Sequence, residues 1–338
     1  MKKIGHGSYP LTRMRRNRTK LFSRELLKEN RLSTHDIILP VFVTDGEKKT
    51  IPITTMPGVF VHSSDKILST VERAVNLGIK SIALFPNIDN SLKDFEGSYA
   101  TDENNLVCKT VKLIKDKFPD LGIICDVALD PYTTHGHDGI YSDGEILNDK
   151  TLEILCKQAV IQAHAGCDIV APSDMMDGRI LAIRKALESN GFHNTQIMSY
   201  AVKYSSSFYG PFRSAIGSLN NSKKIDKSTY QMDPSNIKEA VREVELDISE
   251  GADMILIKPG MPYLDVLSNI NQNFDIPIFS YQVSGEYSMI CGYIDNQKNN
   301  RSNIILESLI CFKRAGATGI LTYFALEIAE IIKSDNIG

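Results

Sequence analysis

SNIKEAVREVELDISEGADMILIK, residues 235–258, contains one full period of the pattern that runs through this chain. Ser235–Ser249 spaces its apolar residues as one face of a helix. Gly251 then stands where a helix C-terminus takes a left-handed residue. Met254–Ile257 (MILI) is short, β-branched in part and apolar throughout, as a parallel strand buried on both faces must be. The period closes on a charged residue, Lys258.

The same period recurs on both sides. Strand-like runs fall at Ile37–Val43 (IILPVFV), Ser81–Phe85 (SIALF), Gly122–Leu129 (GIICDVAL), Cys167–Ala171 (CDIVA), Gln196–Val202 (QIMSYAV), Ile276–Val283 (IPIFSYQV) and Gly319–Phe324 (GILTYF). Helical patterns lie between most of them, at Asp65–Leu77, Leu152–Ala165, Ile180–Ser189 and Ile304–Ala315, and Gly78, Gly166, Gly191 and Gly316 stand at their ends. Eight strands alternating with helices predict an α/β fold, a closed (β/α)8 TIM barrel. The alternative, a doubly wound open sheet, usually shows a glycine-rich phosphate loop after an early strand, and the sequence has none there. The expected organisation is an extended N-terminal arm at 1–34 and a catalytic barrel at 35–338. Within the barrel, 204–234 is too long and too rich in Ser, Asn and Lys for a plain connection, and is read as an active-site lid.

Bulk properties narrow the function. The 338 residues suffice for one large domain plus an appendage. A net charge of −3 gives no overall field that recruits nucleic acid. No apolar run reaches the ~18 residues of a membrane span, and the N-terminus lacks the apolar core of a secretory signal. The six cysteines are scattered without metal or redox spacing, which predicts buried free thiols in a reducing compartment. The first 31 residues carry ten Lys/Arg against two acids. On pattern alone a solvated tail, a transit peptide and an arm laid on a neighbouring subunit all stay open.

Barrels collect function at the C-terminal ends of their strands. Reading those ends gives Asp126, then Asp130, His135, His137 and Asp138 after strand three; Ser173 after strand four; Lys203 and Lys258 closing strands five and six; Ser284 after strand seven; and Tyr323 on strand eight. Two lysines closing adjacent strands are the sharpest signal. A desolvated ammonium near a second one loses proton affinity, and a neutral amine can attack a carbonyl to form an imine. Read alone, each lysine could equally snorkel or pair with a carboxylate. The aspartates of DVALDPYTTHGHDG (126–139) suit Mg2+ better than Zn2+. A His-x-His zinc hydrolase site would need further histidines at later strand ends, whereas His164 and His193 fall in helical stretches. In the lid, Arg213, Lys227 and Gln231 suit a carboxylate-bearing substrate.

Together these segments resemble the porphobilinogen synthase (5-aminolevulinate dehydratase) family. SYAVKYSSSFYGPFR around Lys203, ADMILIKPGMPYLD around Lys258, APSDMMDGR, YQVSGEY and GILTYFA carry the resemblance, which runs from about Pro10 to Glu330. It implies condensation of two molecules of 5-aminolevulinate to porphobilinogen through Schiff bases, within tetrapyrrole (haem) biosynthesis. It implies that Lys258 holds the propionate-side substrate and Lys203 the acetate-side one. Arg213, Lys227 and Gln231 would bind the acetate-side carboxylate, Ser284 and Tyr323 the other, and Asp126 and Ser173 would sit near the propionate-side amino group. Zinc-dependent members carry three cysteines where this chain has Ala128, Asp130 and Asp138, so it resembles the magnesium-responsive, aspartate-rich branch, with Asp130 and Asp138 as candidate ligands. Glu243 matches a position that binds an activating Mg2+ between subunits in some members; an exposed helix glutamate is its plain alternative. No zinc–thiolate site and no organic cofactor are expected. The Arg-rich PLTRMRRN (10–17) resembles an arm that wraps a neighbouring barrel in a homooctamer, and its position leaves no room for a leader, which implies a cytoplasmic protein. A class I aldolase with one Schiff-base lysine and a non-catalytic barrel are the competing readings. The first needs no second lysine and wants a phosphate site after strands seven and eight. Loss of a lysine would have marked the second.

Overall fold

The computed structural model describes residues 7–216, 226–295 and 300–334. It divides into two compact units, one ending at Arg31 and one beginning at Leu32. The first holds a 3-10 turn at Met14–Arg18 and a short helix at Leu21–Leu26, neither with a buried residue. Leu21, Phe22 and Leu26 are exposed, and Arg24 donates to the Arg18 carbonyl at 2.9 Å.

The second unit contains eight parallel strands: β1 (Ile37–Thr44), β2 (Ser81–Asn87), β3 (Gly122–Val127), β4 (Ile169–Pro172), β5 (Gln196–Lys203), β6 (Met254–Lys258), β7 (Ile278–Gln282) and β8 (Gly319–Thr322). Each pairs with the next, and β8 pairs back to β1 through Ile37↔Ile320 and Ile38↔Leu321, so the sheet closes as the alternation predicted. Closure leaves every strand with two buried faces. All of β5 except Gln196 is buried, and all of β6. The surrounding helices are α1 (Ser64–Asn76), α2 (Leu106–Lys117), α3 (Asn148–His164), α4 (Arg179–Ser189), α5 (Lys238–Ser249), α6 (Leu264–Asn273), α7 (Ser284–Asp295), α8 (Arg301–Ala315) and α9 (Ala325–Ser334).

The opening stretch folds as read, with one correction: α5 starts at Lys238, because Asp233 accepts from the Ser235 backbone and hydroxyl and so holds that segment in a turn. At the other end Gly251 has φ 104°, its N–H bonds the Ile248 carbonyl and that of Ala252 bonds the Asp247 carbonyl. This is a Schellman cap, whose left-handed residue a side chain would strain. Several apolar runs overshoot their strands. Ala128 and Leu129 continue the run of β3 but are buried in the following loop. His193 lies in the turn after α4, against Glu188, not in a helix.

The lid region holds a 3-10 turn at Ser207–Tyr209 and a short helix at Gly210–Ala215. Its part at 217–225 lies outside the described residues, as do 1–6 of the expected arm and 335–338 of the expected barrel.

Candidate active site

The β5–β6 ladder ends with Lys203 directly opposite Lys258. The two amines share one mouth but meet different surroundings. Lys258 is 6% exposed, and its Nζ sits about equally far from four ring centroids: Phe212 at 4.9 Å, Tyr209 and Tyr281 at 5.1 Å, Tyr200 at 5.3 Å. Ring faces attract a cation, yet they replace water poorly. Burial first, then the Lys203 charge, brings the Lys258 pKa down to about 7, against the pull of Asp126, Asp130 and Asp138. At neutral pH roughly half of this amine is unprotonated, ~10³-fold more than for an ordinary lysine.

Lys203 is paired instead. Its Nζ donates to Asp138 Oδ2 at 3.0 Å and to the Ser173 carbonyl. The fully buried Asp138 also takes Lys227 Nζ on Oδ1 at 2.6 Å and Gln231 Nε2 on Oδ2 at 3.3 Å. Burial disfavours its charge, but Lys203 and Lys227 outweigh that and hold Asp138 well below the usual carboxylate range. Asp130 reaches Lys227 at 3.4 Å. Burial lowers the affinity of Lys227 for its proton, and Asp138 and Asp130 more than restore it. The Arg213 charge, from the short helix at Gly210–Ala215, lowers the proton affinity of Lys227, Tyr230 and Tyr209.

Asp126 faces both lysines. Its Oδ1 is sealed and unpartnered. Burial and the Asp130 charge push its pKa up to about 7, while Lys203, Lys258 and the Ser173 side chain pull it down. Ser284 is buried, with Oγ accepting from Phe212 N at 2.9 Å and donating to the Phe208 carbonyl at 3.4 Å, so its hydroxyl pins the segment from Phe208 to Phe212. The Tyr323 hydroxyl meets that of Tyr281 at 2.8 Å.

The histidines are engaged in the loop. His135 donates from Nε2 to the Phe95 carbonyl at 3.0 Å and accepts the His137 N–H on Nδ1 at 3.1 Å. His137 Nδ1 meets the Tyr230 hydroxyl at 3.1 Å, and burial brings its pKa down to about 4. Among the described residues no group of three or more His, Cys, Asp or Glu is arranged to hold a metal. Asp138, the better placed of the two ligand candidates, already has both oxygens on cationic or amide donors, so the mouth as built does not fit a cation at Asp130 and Asp138. Glu243 stands apart on α5, half-buried. Burial and the charges of Asp247, Asp177 and Glu239 raise its pKa, and Arg179 opposes them.

The mouth thus gathers Lys203, Lys258, Asp126, Asp130, Asp138, Ser173, Lys227 and Gln231, with Ser284 and Tyr323 beside the lid and the aromatic box. Sequence reading missed the box. Its signal was the Ser-Tyr pair set into two apolar strands, at 199–200 on β5 and 280–281 on β7, on either side of β6.

Residues 11–331 match the family described as delta-aminolevulinic acid dehydratase. The chain belongs to that family. A delta-aminolevulinic acid dehydratase from Bradyrhizobium diazoefficiens is 55% identical over 322 residues, covering 95% of this chain and 91% of the relative. One from Rhodobacter capsulatus is 45% identical and covers 96% and 97%. A crystal structure of the dehydratase (porphobilinogen synthase) of Toxoplasma gondii with the reaction product porphobilinogen superposes with a TM-score of 0.93 at 45% identity, covering 96% of this chain and 92% of that one.

Proposed function

We propose that this chain is a porphobilinogen synthase, a hydro-lyase that condenses two molecules of 5-aminolevulinate to porphobilinogen with loss of two waters. The observation that carries the reading is the pair of mouth lysines in unlike settings. Lys258, desolvated in its aromatic box, is a nucleophile near pH 7. It attacks the ketone of one 5-aminolevulinate, and the carbinolamine loses water to leave an imine. Lys203 does the same for the second substrate once its ammonium has left Asp138 and given a proton to water. Lys227, Gln231 and Arg213 bind the second carboxylate; Lys227 and Gln231 already engage a carboxylate, that of Asp138. Ser284 and Tyr323 bind the first carboxylate. Asp126, poised near neutrality beside Ser173, moves protons at the amino group of the first substrate. Incubation with 5-aminolevulinate, followed by an aldehyde reagent that colours pyrroles, tests the activity directly. No colour above a protein-free control refutes it.

The residues at 128, 130 and 138 supply no thiolate, so a zinc-selective chelator is expected to leave activity unchanged. Mg2+ keeps most of its waters and needs only one or two carboxylates. The acidic neighbourhood of Glu243 suits it, and Mg2+ is expected to raise activity or shift assembly, as in a magnesium-responsive branch. A stoichiometric zinc required for turnover overturns this.

The arm is proposed to order on a neighbouring subunit of a homooctamer. Its unit buries no residue in either helical turn and exposes Leu21, Phe22 and Leu26, so it lacks a core of its own. Deleting residues 1 to about 20 is expected to give smaller species with lower activity and an intact barrel, read by size-exclusion chromatography with light scattering. An octameric, fully active truncation returns the arm to a solvated tail. Cytoplasmic residence is part of the same reading, supported by six free thiols.

A further inference from the structure

One buried acid near the mouth has no part in the chemistry above. Glu286, in the first turn of α7, is fully buried. Its Oε2 accepts the Val283 N–H at 2.8 Å, an ordinary reach-back from the third helical residue to the N-cap. That bond needs one oxygen lone pair. The carboxylate also takes Gly260 N–H on Oε2 at 3.1 Å and Met261 N–H on Oε1 at 2.5 Å. Those two donors lie in the turn that leaves Lys258 and leads through Met261–Tyr263 into α6. One side chain therefore ties the turn after β6 to the end of β7.

The backbone is built for that approach. A Cβ at Gly260 would stand 2.9 Å from the Tyr281 carbonyl oxygen and 2.5 and 2.8 Å from ring atoms of Phe312. Only glycine lets the turn come so close. On its other side Lys258 is fixed by its own carbonyl, which accepts the Tyr204 N–H at 3.0 Å and the Tyr209 hydroxyl at 3.1 Å.

We infer that Glu286 is a positioning residue for Lys258: by clamping the Gly260–Met261 turn against β7 it holds the lysine where its amine meets the substrate carbonyl. Burial pushes the Glu286 carboxyl up to about 7, against its three backbone N–H donors, which favour the ion.

The inference rests on the reading of Lys258 as an imine-forming residue, and the test separates the two. Full-length protein is mixed with 5-aminolevulinate, quenched with borohydride at set times, and labelling of Lys258 is followed by peptide mass spectrometry per folded molecule. Glu286→Gln keeps the shape but turns an amide N–H2 toward backbone donors. Gly260→Ala displaces the same turn through the Phe312 ring and the Tyr281 carbonyl and leaves the Glu286 side chain unchanged. Both are expected to slow labelling ~10–100-fold, the usual effect of displacing a reacting group by about an ångström. A residue that only caps helices would lower the melting temperature and leave the labelling rate of folded molecules at the wild-type value; that result overturns the inference. If Glu286→Gln does not fold, Gly260→Ala decides alone. Wild-type protein that never labels at Lys258 overturns the imine reading itself.

Discussion

Lys258→Met is expected to abolish pyrrole formation, by ~10⁴-fold or more, because no bound group can replace a covalent nucleophile. Borohydride with 5-aminolevulinate should label Lys258 in the wild type, and Lys203 at saturating substrate. Substantial turnover by Lys258→Met sinks the assignment. The same variant should be more stable than the wild type. Burial in the box of Tyr200, Tyr209, Phe212 and Tyr281, with the Lys203 charge beside it, lowers the amine pKa from 10.5 to about 7. Between those values the unfolded chain binds more protons than the folded one, so wild-type stability rises with pH across the window. Below about 7 the fold carries a buried ammonium in full. Methionine removes that charge at nearly constant volume, and a rise in melting temperature of about 2–4 °C is expected at pH 7. The gain shrinks toward pH 10. Equal melting temperatures across that range would show that the box does not penalise the ammonium.

Asp126→Asn is the second large effect. Loss of a positioned acid–base group is expected to lower kcat by ~10²–10³-fold. It also carries a signed test. The Asp126 carboxylate supports the Lys258 ammonium, so removing its charge should depress the Lys258 pKa further. Imine formation at Lys258 rises with pH as the amine loses its proton, and the midpoint of that rise should move below the wild-type value near 7 in Asp126→Asn. Since Asp126 and Lys258 both titrate near 7, the wild-type curve reports the pair. Trapping rates measured from pH 5 to 9 decide the matter. A midpoint that stays put or moves upward contradicts the coupling.

The fold was legible because closure of the barrel buries both faces of each strand, which writes every strand as an apolar run, and because Gly251 and its counterparts at 78, 166, 191 and 316 mark helix ends, all with positive φ. Boundaries were less legible where loop residues such as Ala128 and Leu129 are as buried as the strand before them. The lysines stood out as charges closing apolar strands. Their unlike settings did not. Asp138 meets Lys203 and Lys227 from 65 and 89 residues away, contacts that no local pattern encodes. Tyr200 and Tyr281 read as ordinary strand residues, and no local pattern marks Glu286, since the turn it holds is 25 and 26 residues away in sequence.

The replacement of sulfur by oxygen at the mouth reaches beyond catalysis. The six cysteines sit on α2 (Cys108), β3 (Cys125), α3 (Cys156), α7 (Cys291), α8 (Cys311) and just ahead of β4 (Cys167). Burial holds the thiols of Cys108, Cys125, Cys156, Cys291 and Cys311 above their usual range, so they stay protonated and unreactive. The groups around the two amines are carboxylates, amides, phenols and ammoniums. Peroxide and soft heavy-metal ions, which act on thiolates, find nothing to seize there. Pyrrole formation on this scaffold is therefore expected to withstand thiol-directed oxidants and soft-metal ions, as assays with each added would read.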